Sequence, residues 1–506
     1  MDYKKLKSGS DVRGVAIGAD ATLTADVAKT LGMAFTEYMA QRLGKSAREL
    51  SVAVGRDSRI SGPALLDAVC KGIAACGATA VDYEMCTTPA MYMAILTEGF
   101  QPDASVMITA SHHPWNLNGL KFFTKEGGLG FHELDEVLDR AQHMTRPAPE
   151  ATGKIVTAPF LPTYQKHLQS LIVSGIQPEV QKPLLGLHVV VDAGNGAGGF
   201  YADMLEELGA WVEGSQFLEP DGHFPNHVPN PENKEAMASI SGAVLRENAD
   251  LGVIFDADCD RAAIVDHTGK EINRNRLIAM ISAILLDEMP GATIVTDSVT
   301  SSGLADFIQE WGGVHYRYKR GYRNVIDEAI RLTQAGVNCP LAIETSGHAA
   351  LRSNHFLDDG MYLVTVLLIK AMQMKQQGET LSKLLDGLKE PVESTEIRLP
   401  VLAEDFAPAA RQLIEKLMEY ATEHEDWHIA PDNREGVRIS FDIDAELNAA
   451  WFLLRLSVHD PVMPLNAESD VPGGLRYVLG KLYEAIQDTE TVDLTPLRQA
   501  LGDGGR

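Results

Sequence analysis

The sequence predicts an α/β protein: three similar α/β domains with mixed, mostly parallel sheets, then a C-terminal α+β domain, arranged around a central cleft. Three observations support this. The chain has 506 residues, too many for one hydrophobic core, and its length implies about three or four domains. One unit recurs three times: a strand, an Asp-containing turn and a helix precede, by about 50 to 65 residues, a second strand that ends in a polar loop. Alternating strands and helices of this kind imply βαβ units whose loops gather ligands at the strands' carboxyl ends. The last hundred or so residues lack the repeat. The expected domains are 1–155, 156–270, 271–390 and 391–506.

In chain order, Ala25 to Leu43 reads as an amphipathic helix and Ser51 to Val54 as a short apolar strand, closed by Gly55-Arg56-Asp57-Ser58-Arg59. A helix follows from about Pro63, a good first-turn residue, to Ala75. The apolar run Ala104 to Ile108 stops at Thr109-Ala110-Ser111-His112-His113-Pro114. The second copy pairs Leu187 to Val191, its turn Asp192 to Gly199 and the helix Ala202 to Leu208 with the strand Leu251 to Phe255. The third pairs Thr293 to Val295 and the turn Asp297 to Gly303 with Leu341 to Ile343. A single long sheet is the competing architecture. After Glu390-Pro391, a candidate hinge, come a helix from Phe406 to Glu423 and paired strands at Val437 to Asp442 and Ala449 to Leu456. The apolar residues of those strands are too dense for a fully exposed sheet. A closing amphipathic helix spans Leu475 to Asp488.

A composition of 45% hydrophobic and 7% aromatic residues fits a soluble globular protein. The formal charge of −26 argues against nucleic acid or an anionic membrane as partner, because long-range repulsion opposes both. An anionic small substrate must then be drawn in by locally basic groups. Cys70, Cys76, Cys86, Cys259 and Cys339 form no metal spacing, and their odd number forbids a complete intrachain disulfide set. The first residues hold no apolar run of signal-peptide length. A cytoplasmic protein, monomeric or homodimeric, is expected.

Four loops carry the chemistry. Ser111 lies where a buried strand delivers a hydroxyl to the sheet edge, with His112, His113 and Lys121 near enough in sequence to move a proton. Asp256, Asp258 and Asp260 stand at alternate positions after a buried strand and repel one another unless a hard cation compensates. Oxygen ligands alone favour Mg²⁺. An EF-hand is rejected, because its sixth and twelfth positions hold Arg261 and His267 rather than glycine and glutamate. Two rival roles for this loop are a phosphate-accepting nucleophile at Asp256 and an acidic turn that holds no metal. Glu344, Ser346 and His348 offer a carboxylate, a hydroxyl and an imidazole, a set suited to neighbouring hydroxyls of a sugar. Arg455 and Ser457 can cradle a phosphate dianion. Arg13, Arg261, Lys319, Arg320 and Arg323 add cations in or near turns.

Together these residues resemble the α-D-phosphohexomutase family. The likeness rests on Thr109 to Pro114 with Asn118 to Lys121, on Asp256 to Arg261, on Glu344 to His348, and on Asp11-Val12-Arg13-Gly14. It implies that Ser111 carries a phosphoryl group and that Mg²⁺ is held by Asp256, Asp258 and Asp260 with a phosphoserine oxygen. It further implies that Arg13, His112, Lys121 and Arg261 surround the transferring group, Lys121 or His112 handling the proton. Glu344, Ser346, His348, Lys319 and Tyr322 would bind the sugar, and Arg455, Ser457 and His459 the distal phosphate. The implied activity is interconversion of hexose 1-phosphate and hexose 6-phosphate through a 1,6-bisphosphate, which also serves as activator. The chain departs from the family pattern at Val458, His459, Asp460 and Pro464 in the phosphate loop, at Tyr322, and at Ile343 before the sugar-loop glutamate. Phosphomannomutase/phosphoglucomutase is the expected activity, with glucosamine phosphate as the variant substrate. A non-catalytic sugar-phosphate-binding regulator and a phosphatase are rival functions.

Overall fold

The computed structural model describes residues 2–144, 153–177, 179–457 and 460–502. The chain forms two compact units: residues 1–277 with 346–384, and residues 278–345 with 385–506.

In the first unit, the N-terminal sheet runs in the order Lys7–Ser8, Asp11–Val15, Leu117–Thr124, Ala104–Ile108, Ser51–Arg56, Thr79–Met85, Ile155–Thr157. The helices Ala25–Leu43 and Gly62–Ala75 cover it. The first is started by Thr24, whose hydroxyl accepts from the Val27 N–H, and ended by Gly44 in the left-handed conformation. A second sheet follows the order Glu271–Ile272, Ala262–Asp266, Leu251–Phe255, Val189–Asp192. Its buried strands pack on the helix Lys234–Glu247, capped by the Asn233 side chain.

In the second unit, Val314–Arg317, Thr293–Thr296 and Leu341–Ile343 are parallel neighbours. The C-terminal sheet is antiparallel, ordered Glu393–Pro400, Val462–Ser469, Glu446–Leu454, Val437–Ile443, His428–Ile429. The helices Phe406–Glu423 and Gly474–Ile486 line its core face.

The recurring unit is present. Ser51–Arg56 pairs in parallel with Ala104–Ile108, Val189–Asp192 with Leu251–Phe255, and Thr293–Thr296 with Leu341–Ile343. These are separate sheets, so the single-sheet architecture falls. The dense apolar pattern near residue 450 also has its reason. Ala450, Phe452 and Leu454 face the C-terminal core, while the alternate Trp451 and Leu453 cluster with Val299. Both faces of this strand are covered, so neither can be polar.

Residues 117–121 do not simply continue the serine loop. They begin the strand Leu117–Thr124, antiparallel to both Ala104–Ile108 and Asp11–Val15. Gly119 serves close approach of that strand to its neighbour. A Cβ at Gly119 would lie 2.2 Å from the Val12 carbonyl oxygen and 2.8 Å from Arg13 Cδ. The sharp return strand is what aims Lys121 back at the loop.

Candidate active site

Strand ends and their antiparallel returns build the site in the first unit. Ser111 follows the strand Ala104–Ile108 in the left-handed region, with φ at 48°. This is a costly conformation for a side-chain-bearing residue, and neighbours hold it. The Thr109 hydroxyl accepts from the Ser111 N–H at 2.9 Å and donates to Asp57 Oδ2 at 2.7 Å. Arg59, wholly buried, donates from Nη1 to the Pro114 and Leu117 carbonyls at 2.8 and 2.9 Å. Its Nη2 donates to the carbonyls of Ser111 and, at 2.7 Å, His113. Asp57, also buried, balances its charge at 3.3 Å from Nε.

So held, Ser111 Oγ donates to Asp256 Oδ2 at 2.7 Å and accepts from Arg261 Nη2 at 2.7 Å. Arg261 also donates to Asp256 at 2.8 Å and to His112 Nδ1 at 2.7 Å. His112 Nδ1 stands 3.3 Å from Ser111 Oγ. Burial first, then the charges of Arg261, His113 and Arg13, hold the His112 imidazole far below its ordinary pKa. It is neutral, with Nδ1 as acceptor. Arg13, on Asp11–Val15, donates to the Thr109 carbonyl and pairs with Asp11 at 2.9 Å.

The acidic loop joins Leu251–Phe255 to its antiparallel return Ala262–Asp266. Asp256, Asp258 and Asp260 are each fully buried, and one oxygen of each lies within 4.8 Å of the others. Lys121 pairs with Asp258 at 3.2 Å and with Asp260. The Thr88 hydroxyl donates to Asp258 Oδ2 at 2.5 Å. Among the described residues, Asp258 Oδ1 and Asp260 Oδ1 are buried without a hydrogen-bond partner. Burial, with Asp258 and Asp260 alongside, pushes the Asp256 carboxyl up to about 8 despite Arg261. Three adjacent carboxylates with two orphaned oxygens fit a hard divalent cation. Asp260, His348 and Asp358 form a second close trio. There His348 Nδ1 meets Asp358 at 2.6 Å. Against its burial, Asp358 and Asp260 push the imidazole up to about 9. His348 Nδ1 is already engaged by Asp358, and oxygen ligands alone suit a hard cation, so the three-aspartate trio is the better cation site.

Ser346 and His348 belong to the first unit and Glu344 to the second. Ser346 is buried, and Glu344 Oε1 accepts from the Gly321 N–H at 2.6 Å. That N–H stands just before the helix Tyr322–Gln334, so Glu344 is fastened to the segment bearing Tyr322. Lys319 is exposed. Arg455 is buried at the end of Glu446–Leu454, and its backbone N–H donates to the Pro464 carbonyl at 3.1 Å. Ser457 Oγ accepts from the Asp460 N–H at 3.2 Å. Val458 and His459 lie outside the described residues.

The structure thus brings Ser111, His112, Lys121, Arg13, Arg261 and the three aspartates together. Sequence reasoning missed Asp57, Arg59, Thr88 and Asp358. The Gly55–Arg59 turn was visible, but nothing in it tells a surface ion pair from a buried one that ties down another loop.

The chain matches three protein-family models: phosphoglucomutase/phosphomannomutase alpha/beta/alpha domain I over residues 4–144, domain II over 162–269 and domain III over 273–391. It is 32% identical over 464 residues to a phosphomannomutase/phosphoglucomutase of Pseudomonas aeruginosa, covering 91% of this chain and 90% of that one. It is 29% identical over 479 residues to a phosphoglucomutase of Neisseria gonorrhoeae, covering 94% and 95%. Among solved structures, a phosphoglucomutase/phosphomannomutase family protein of Burkholderia thailandensis superposes with a TM-score of 0.79 at 28% identity, covering 100% of this chain and 99% of that one. The chain belongs to the α-D-phosphohexomutase family and is a mutase of the phosphoglucomutase/phosphomannomutase type.

Proposed function

We propose that the chain interconverts hexose 1-phosphate and hexose 6-phosphate, with Ser111 carrying the phosphoryl group between turnovers. The observation that carries the reading is the Ser111 hydroxyl, bonded at 2.7 Å to both Asp256 and Arg261 beside a buried acidic trio. Phosphoryl transfer needs positioning and charge neutralisation more than covalent help from the protein, and this hub is built for both.

Asp256, Asp258 and Asp260, with an oxygen of phosphorylated Ser111, would hold one Mg²⁺. When bound, the ion neutralises phosphoryl charge as a Lewis acid. Arg261, already on Ser111 Oγ, and Arg13, anchored on the Thr109 carbonyl, face the transferring group. Lys121, paired with two of the aspartates, supplies a further cation. In the forward step the bond from phosphorus to Ser111 Oγ breaks and a bond to a sugar hydroxyl oxygen forms. The sugar hydroxyl gives up its proton and Ser111 Oγ ends protonated, a transfer assigned to Lys121 or His112, whose Nδ1 stands 3.3 Å from Oγ. The 1,6-bisphosphate then turns over and returns its other phosphate to Ser111, which is why added bisphosphate should activate. Glu344, Ser346, His348, Tyr322 and Lys319 are assigned to the sugar, and Arg455, Ser457 and His459 to the distal phosphate. Glucose and mannose phosphates are the favoured substrates, with glucosamine phosphate as the variant.

The test is a coupled assay with Mg²⁺ and a trace of glucose 1,6-bisphosphate, comparing glucose, mannose and glucosamine 1-phosphates. Turnover should fall to background in Ser111→Ala, and the ratio of rates names the sugar. A Ser111→Ala enzyme at normal rate, or free phosphate in place of isomerised product, would overturn the proposal.

A further inference from the structure

Within the second unit, the place expected to receive a phosphate already holds a carboxylate from this chain. Glu435 Oε2 accepts from the Ser298 hydroxyl and from the Arg320 backbone N–H, the latter at 3.0 Å. Its position is fixed by the backbone. Val437 pairs with Leu454, and a Cβ on Gly436 would lie 2.2 Å from the Leu454 carbonyl oxygen and 2.9 Å from Arg455 Cα. Glu435 is therefore pressed alongside Arg455, and exerts the largest opposing charge on that guanidinium. Arg455 Nε is buried and has no hydrogen-bond partner among the described residues. The turn itself is anchored on both sides of Glu435: Asp432 binds Arg317 at 2.6 Å, and Arg438 donates to the Ser298 and Thr300 carbonyls at 3.0 and 3.1 Å.

A hydroxyl, a backbone N–H and an arginine make the usual donor set for a phosphate dianion. Here the first two bind Glu435 and the third adjoins it. Arg320 and Arg455 are offset by Glu435 and by the buried Asp297, which lies 3.9 Å from Arg320 Nε. A dianion arriving with Glu435 in place meets a carboxylate already seated on the Ser298 and Arg320 donors. Once Glu435 withdraws, two donors become available and Arg455 loses the largest opposing charge acting on it.

We propose that Glu435 is an internal stand-in for the substrate's distal phosphate: it keeps the anion cradle ordered at rest and must be displaced when the phosphate binds. The proposal rests on the assignment of Arg455 to that phosphate. It makes Glu435 a specificity-determining residue, because a weak monoanion fails to displace it and a phosphate dianion succeeds.

The test is calorimetric titration of the full chain with inorganic phosphate. Glu435→Gln keeps an acceptor for Ser298 and Arg320 but removes the charge, so phosphate affinity should rise about tenfold, the effect of one like charge at ion-pair range. The gain should vanish in Glu435→Gln combined with Arg455→Gln, which separates this cradle from the Ser111 site. Unchanged or weaker binding in Glu435→Gln, or a gain that survives loss of Arg455, would make Glu435 a structural tether and overturn the proposal. Should the Gln variant fail to fold, Glu435→Asp withdraws the charge by one methylene. A smaller gain is then expected, and a loss overturns. Turnover of Ser111→Ala decides the mutase reading separately, because phosphate binding does not require it.

Discussion

Arg59 shows how much one side chain sets. Its guanidinium carries four carbonyls of the serine loop while Asp57 neutralises it, and both are fully buried. Removing one partner of a buried pair leaves an uncompensated charge, which costs about 3–5 kcal/mol. Arg59→Leu is therefore expected to lower the unfolding free energy by about that amount in urea, and to cut turnover in whatever fraction remains folded. Arg59→Leu with wild-type stability would mean that the loop holds itself. Thr88→Val is a milder case: it removes the donor to Asp258 Oδ2 and should lower Mg²⁺ affinity, measured by activity against free metal, more than it lowers stability. The serine, the aspartates and Arg261 were legible in the sequence because each sits in a dense polar motif after an apolar run. Arg59 and Thr88 were not, because Arg59's carbonyl partners lie 52 to 58 residues away and Thr88's partner Asp258 lies 170 residues away, and only folding joins them.

At the scale of elements, the antiparallel return strand matters more than the parallel unit that the periodicity reveals. Leu117–Thr124 puts Lys121 opposite Met107 and Gly119 opposite Arg13. Gly119→Ala would drive a methyl into the Val12 carbonyl oxygen, and overpacking of this kind costs about 1–3 kcal/mol. The expected result is a lowered melting temperature together with a fall in kcat, because Arg13 must shift. A variant with only one of the two effects would separate packing from positioning. The strand Glu446–Leu454 gives a second case. Trp451 packs with Val299 and Leu453 and stacks under Arg438 at 3.5 Å. Trp451→Ala should cost about 3–5 kcal/mol, as large aromatic deletions do, although the residue lies on the face turned away from the C-terminal core. The density of apolar residues told only that this sheet is not fully exposed. What covers the second face was not readable.

For the molecule as a whole, charge is the governing quantity. The chain carries −26 overall, yet Arg13, Lys121 and Arg261 converge near one serine. Added salt should therefore raise KM for the sugar phosphate more than it lowers kcat, because screening weakens capture of an anion by a local basic site. On the proposed assignment of Mg²⁺ to the acidic trio, EDTA should abolish turnover and also lower the melting temperature, because an ion held only by the folded state stabilises it. An EDTA-treated protein with unchanged melting would argue against a metal in that trio. A separate pH effect is expected at His227, buried against Asp192 at 3.0 Å. Burial lowers its pKa, but the Asp192 hydrogen bond and charge outweigh this, and the net shift is upward. A folded-state value above the unfolded one means the stabilisation is complete below the unfolded pKa near 6.5 and is lost as pH rises through the folded value. Wild-type stability should therefore decline from pH 6 into the alkaline range, and His227→Asn should lack that part of the decline. Parallel curves would rule the pair out as its source.

The sequence by itself determined the three repeated α/β units, the separate C-terminal sheet and the loops that hold Ser111, Asp256 to Asp260, and Glu344 to His348. These follow from local pattern: apolar runs specify buried strands, and polar motifs at their ends mark the sheet edge. Only the tertiary structure decided which charges are buried and which pairs meet. It set Arg59 under the serine loop, put His112 against Arg261, joined His348 to Asp358 and brought Glu435 beside Arg455. Those outcomes depend on desolvation and on distances between residues far apart in the chain, and neither quantity is written in any local stretch of sequence.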